Sequence, residues 1–138
     1  MKKVAIFDID GTIFRSSLLI EIVEALIEHG FFPAGARKEY QEPYRQWLDR
    51  KDSYEKYIGA VVAVFEKHLH KVHRRDFSKI AKKVVAAQKD HVYRYTRDLA
   101  QELKKKQYYI LAISHSPKDI LNEFCRNLGF DKVYGRVY

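Results

Sequence analysis

Seven residues near the N-terminus, Phe7-Asp8-Ile9-Asp10-Gly11-Thr12-Ile13, bring two carboxylates, a glycine and a hydroxyl into a short span. They follow Val4-Ala5-Ile6, an apolar run that reads as a buried strand. Two carboxylates, two positions apart, therefore arrive at a strand end, and Gly11 permits a sharp turn directly after them. In an open α/β sheet, ligands bind in the crevice beyond the strand ends. Asp8 and Asp10 placed there can hold a hard cation and act on a phosphoryl group. A calcium EF-hand is excluded by spacing. Counted from Asp8, its sixth position should be Gly and its twelfth Glu, but these are Ile13 and Leu19.

The elements that must position these residues are legible from periodicity. Leu18, Leu19, Ile22, Val23, Leu26 and Ile27 recur at helical spacing, and Gly30 closes the segment. Tyr40, Tyr44, Trp47 and Leu48 mark a second helix, with Pro43 expected in its first turn. Asp52 followed by Glu55 resembles a capping box. Behind it, Tyr57, Ile58, Val61, Val62, Phe65 and Leu69 form one stripe, and Phe77, Ile80, Ala81, Val84 and Val85 another. Residues 15–88 thus read as an all-helical insert. Residues 89–106 read as an amphipathic helix carrying Val92, Leu99 and Leu103. Tyr108 to Ile113 is a continuous β-prone run, as expected of a buried parallel strand. It leads into Ser114-His115-Ser116-Pro117, where Pro117 can open a helix with the stripe Ile120, Leu121, Phe124, Cys125 and Leu128. Gly129 ends that helix, and Asp131 to Tyr138 is strand-like.

Composition narrows the class. The chain has 138 residues, 46% of them hydrophobic, enough for a packed core. One Cys excludes an internal disulfide framework. Met1-Lys2-Lys3 runs straight into a strand without a secretory apolar region, and no apolar run approaches the ~20 residues of a membrane span. A cytoplasmic protein is the expectation. The net charge is +8, but the basic residues are dispersed among acids, the pattern of a solvated surface. No nucleic-acid partner and no membrane partner is called for. His68, His70 and His73 suggest a metal cluster, yet on a helix only His70 and His73 share a face and no nearby Cys completes a set. The tyrosines Tyr40, Tyr44, Tyr54 and Tyr57 read as packing.

Asp8, Asp10 and Thr12 after a hydrophobic strand resemble the first motif of the haloacid dehalogenase superfamily, Asp-x-Asp-x-Thr. Ile113-Ser114-His115-Ser116-Pro117 is similar to the second motif of its phosphoserine-phosphatase-like branch (subfamily IB). The resemblance implies an α/β fold, a Rossmann-like parallel sheet core formed by residues 1–14 and 89–138, with residues 15–88 as a helical cap. It implies a Mg²⁺-dependent phosphatase acting on small phosphorylated metabolites. Asp8 would be the nucleophile and Asp10 the general acid and base. Asp8 and Asp10 would also hold Mg²⁺, and Gly11, Thr12, Ser114 and His115 would surround the substrate phosphate. The two remaining motifs of the family, a Lys and a Gly-Asp with a further Asp, have no match after Ser114. The sequence therefore reads as one stopping short of them, and a non-catalytic binding protein on the same fold is the alternative. Phosphoserine phosphatases of this type carry a Glu seven residues after the second Asp; here the position is Ser17, so phosphoserine specificity is not supported.

Overall fold

The computed structural model describes residues 1–138. The elements are β1 (Val4–Asp8), α1 (Leu18–Glu28), α2 (Lys38–Leu48), α3 (Tyr54–Leu69), α4 (Arg74–Gln88), α5 (Arg94–Lys105), β2 (Tyr109–Pro117), α6 (Lys118–Cys125) and β3 (Lys132–Arg136). Short 3-10 turns precede α2 and follow α6. The fold is α/β. The strands form one parallel sheet in the order β1-β2-β3, with Asp8 opposite Ile113 and Ile113 opposite Tyr134. The chain divides into two compact units: residues 1–18 with 81–138, and residues 19–80.

In the first unit, α5 and α6 pack on the sheet face that carries Phe7, Ile110 and Ala112, all buried. Ile9 and Phe14, just past β1, are fully buried as well. The opposite face is bare. The expectation that Val4-Ala5-Ile6 is a buried strand therefore fails on alternate residues: Ile6 is 62% exposed and Val4 51%. Ile113 and Tyr134 continue the same exposed row. An apolar run identifies a parallel strand but cannot say whether both of its faces are covered. On the edge strand β3, Gly135 lies so close to α6 that a Cβ there would sit 2.7 Å from the Cα of Lys118.

The second unit is wholly helical. Its buried residues include Leu19, Ile22, Val23 and Leu26 of α1, Val61, Val64 and Phe65 of α3, and Phe77 and Ile80 of α4, and the Phe65 ring lies 6.3 Å from that of Phe32 and 6.1 Å from that of Phe77. The rings of Tyr44, Trp47, Tyr54 and Tyr57 pack on one another, with Trp47 stacked on Tyr57 at 5.5 Å. His68 is buried on α3 with its ring 5.5 Å from that of Phe32, and no group of three potential ligands forms around the histidines.

Several boundaries differ from expectation. Pro43 lies inside α2, not in its first turn, because the helix already starts at Lys38 out of a 3-10 turn. The N-cap of α3 is Ser53, whose hydroxyl accepts from the Lys56 N–H at 3.3 Å; Asp52 instead pairs with the Lys56 ammonium at 2.7 Å. Helix α5 begins at Arg94, since Val92 is bridged to Phe14 in extended pairing. Pro117 is the N-cap of α6 and the last residue of β2.

The bare face makes a stability contrast. Ile9→Ala, at a site with no solvent exposure, should cost about 2–5 kcal/mol, whereas Ile6→Ala should change stability by less than about 0.5 kcal/mol. Urea denaturation followed by circular dichroism measures both, and equal losses would contradict the assignment of the covered face.

Candidate active site

The site lies wholly within the unit formed by residues 1–18 and 81–138. Strand β1 ends at Asp8, and the chain then turns tightly: the N–H groups of Thr12, Ile13 and Phe14 all point to the Ile9 carbonyl, at 3.2, 3.0 and 2.9 Å. Gly11 takes φ +77°, a left-handed conformation that a side chain would strain, and donates its N–H to the Phe14 carbonyl at 2.8 Å. This turn presents Asp8, Asp10 and Thr12 beside the end of β2. Asp8 is exposed, and its Oδ2 accepts the Thr12 hydroxyl at 2.9 Å.

Asp10 is held from three sides. Its Oδ1 accepts the Leu18 N–H at 2.8 Å and the Ser116 hydroxyl at 3.0 Å, and its Oδ2 accepts the Ser114 hydroxyl. The Ser114 oxygen in turn accepts the Ser116 N–H at 3.0 Å. Ser114 and Ser116 are both buried. A carboxylate oxygen offers two lone-pair sites. The Oδ1 of Asp10 has both filled by protein donors, and Oδ2 keeps one open.

Ser116 escaped the sequence reading, which singled out only Ser114 and His115. The signal was present in the strand period: residues two apart on β2 share a face, so Ser114 brings Ser116 with it and sends His115 to the opposite, exposed face. Thr12 and Ser114, expected to face a phosphate, here hydrogen-bond the two carboxylates. Thr96 of α5 was also missed; its hydroxyl donates to the Thr12 carbonyl at 2.6 Å and pins the turn to the helix. In the helical unit, Glu24 is engaged by Arg37 and the Tyr40 hydroxyl. Asp8 and Asp10 offer hard oxygen donors of the kind Mg²⁺ takes, but no third Asp, Glu, His or Cys joins them.

Cys125 is buried on α6. Burial first, and the Asp10 charge second, push its thiol up to about 12. In the helical unit, burial likewise pushes the Tyr40 and Tyr57 hydroxyls upward, with Glu24 as a further cause at Tyr40. In the unfolded chain a Cys releases its proton near pH 8.5 and a Tyr near pH 10. Each group is thus raised on folding, so its contribution is intact below the unfolded value and is lost as pH rises toward the folded one. The thermal midpoint should fall steadily above about pH 8.5, and Cys125→Ala should flatten the first part of that fall, between about pH 8.5 and 10. Scanning calorimetry of both proteins across this range measures it; an identical slope would remove the role given to Cys125.

The chain matches the model of the haloacid dehalogenase-like hydrolases over residues 2–138. It belongs to that family. Among solved structures, it is similar to the phospho-aspartyl intermediate analogue of phosphoserine phosphatase, at 18% identity and a TM-score of 0.55 over 97% of this chain and 56% of the other. A substrate-bound phosphoserine phosphatase complex aligns with 17% identity and a TM-score of 0.56, covering 98% of this chain and 56% of that one. A protein of unknown function from Bordetella pertussis Tohama I reaches a TM-score of 0.71 at 11% identity, over 98% and 60%. At these identities the likeness is one of fold. The chain spans little more than half the length of the phosphoserine phosphatases it matches. No curated protein matches it. No helix of this family member is long and apolar enough to cross a membrane.

Proposed function

We propose that this haloacid dehalogenase-like hydrolase is a phosphatase of the phosphoserine-phosphatase-like branch, acting on small phosphorylated metabolites in the cytoplasm. One observation carries the reading: Asp8 and Asp10 leave the end of β1 side by side, the first exposed and the second locked in place by Ser114 and Ser116 of the neighbouring strand. A nucleophile must be accessible and a proton carrier must be held in one orientation.

In this reading the Asp8 carboxylate attacks phosphorus, a new P–O bond to Asp8 forms, and the bond to the ester oxygen breaks. The leaving alkoxide takes a proton from Asp10. Water then attacks the aspartyl-phosphate, gives its proton to Asp10, and releases phosphate and the free Asp8 carboxylate. The open lone pair of Asp10 Oδ2 is the position through which that proton passes. Thr12 and Ser114 receive the phosphoryl oxygens once the two hydroxyls turn from the carboxylates to the ligand, and Gly11 lets the turn bring Thr12 beside Asp8; the N–H groups of residues 11–14 stay engaged within the turn, and His115 stands on the exposed side of β2. Mg²⁺, held by the Asp8 carboxylate and the Asp10 carbonyl, would supply positive charge against the repulsion between the nucleophile and the phosphoryl group. The helical unit, residues 19–80, serves as the cap. Para-nitrophenyl phosphate with and without Mg²⁺ tests the reading. Release of nitrophenol that depends on Mg²⁺ supports it, and a protein that binds the ester without turnover points to the non-catalytic alternative.

A further inference from the structure

A groove of about 490 Å³ in the first unit is lined by Arg15, Asp90, Val92, Tyr93, Arg94 and Arg97. Three guanidinium groups face a single carboxylate there. Arg97 is already paired with Asp98 at 3.0 Å. Arg15 lies over the Tyr93 ring, 5.6 Å from its centroid, and no carboxylate pairs with Arg15 or Arg94. Arg15 and Arg94 thus outnumber the one lining carboxylate, Asp90, and leave the groove with a net positive charge, a setting that takes an anion. Guanidinium forks match phosphate and carboxylate oxygens in bidentate geometry, and Tyr93 holds one of them in position.

The groove shares its frame with the candidate active site. Arg15 donates its N–H to the His91 carbonyl and Tyr93 donates to the Ile13 carbonyl, both at 2.9 Å, and Phe14 is bridged to Val92. The Thr96 hydroxyl reaches the Thr12 carbonyl from the same helix that carries Arg94 and Arg97. Arg15 stands three residues from Thr12, so their Cα atoms are at most ~11 Å apart. That is within the span of a small metabolite with an anionic group at each end.

We infer that the groove binds a second anionic group of the substrate, so that the preferred substrates are small phosphate esters bearing a further phosphate or carboxylate. This rests on the phosphatase reading for the reaction but not for the binding. Fructose 1,6-bisphosphate and para-nitrophenyl phosphate serve as the doubly and singly anionic probes, titrated calorimetrically into the 138-residue chain. With Arg15→Gln/Arg94→Gln, the bisphosphate should bind at least tenfold more weakly and the nitrophenyl ester within twofold of the native chain. Arg15→Lys/Arg94→Lys, which keeps the charge, should recover most of the loss. Arg94→Gln alone, at an exposed position, should show the same selectivity to a smaller degree and guards against a folding defect in the double variant. No binding of the bisphosphate to the native chain, or equal weakening of both probes, overturns the groove. A preserved binding contrast in a chain that hydrolyses neither compound leaves the groove standing and overturns only the phosphatase reading.

Discussion

Asp8→Asn should lower phosphatase turnover by at least about a thousandfold, about 4 kcal/mol in the barrier, while leaving the fold intact. The amide cannot attack phosphorus and is a poor ligand for a hard cation. Asp8 is exposed and makes one side-chain hydrogen bond, from the Thr12 hydroxyl, which an amide oxygen can still accept. Stability should therefore stay within about 0.5 kcal/mol of the native chain. Steady-state rates beside thermal melts separate the two effects. Turnover within tenfold of the native protein would remove Asp8 from the role of nucleophile.

Asp10 gives a second large effect, and one that splits by substitution. Asp10→Asn retains an oxygen for the Leu18 N–H and the Ser116 hydroxyl, and its amide can face the Ser114 oxygen. Stability should change little, but the proton that leaves and returns through Oδ2 has lost its carrier, so turnover should fall about 10²–10⁴-fold. Asp10→Ala leaves three donors in a part-buried site without an acceptor. Each such loss costs about 1–3 kcal/mol, so this variant should be visibly destabilised as well as inactive. If Asp10→Asn melted as early as Asp10→Ala, Asp10 would be a purely structural anchor. If Asp10→Asn kept native turnover, it would not be the acid and base.

The parts of this molecule that follow from local rules were legible in its sequence. Gly11 after two carboxylates announced the turn it forms, and the run from Tyr109 to Ile113 announced a parallel strand. The stripe Phe77, Ile80, Ala81, Val84 and Val85 is buried at every position, because a helix with one covered face writes its period directly into the chain. What escaped depends on neighbours distant in sequence. Ile6 and Val4 look like core until the sheet is seen to be covered on one side only. Helical spacing sets His68 apart from His70 and His73, but it does not reveal that His68 packs against Phe32, a contact across 36 positions. Ser116 and Thr96 carry no motif of their own. Ser116 matters because the strand period aligns it with Ser114, and Thr96 because α5 begins only after Val92 has paired with Phe14. Pro43 shows the converse: the preference of proline for a first turn yields when a 3-10 turn has already started the helix upstream.

The most direct test of the central claim is to catch the acyl phosphate itself. The chain is mixed with a small phosphate ester and Mg²⁺, quenched in acid, reduced with borohydride, digested and sequenced by mass spectrometry. Reduction converts a phosphorylated aspartate to homoserine and leaves free carboxylates untouched. The account predicts homoserine at position 8, dependent on the ester and absent from the Asp8→Asn variant. Turnover of the ester with an unmodified residue 8, or with the modification at position 10, would contradict it.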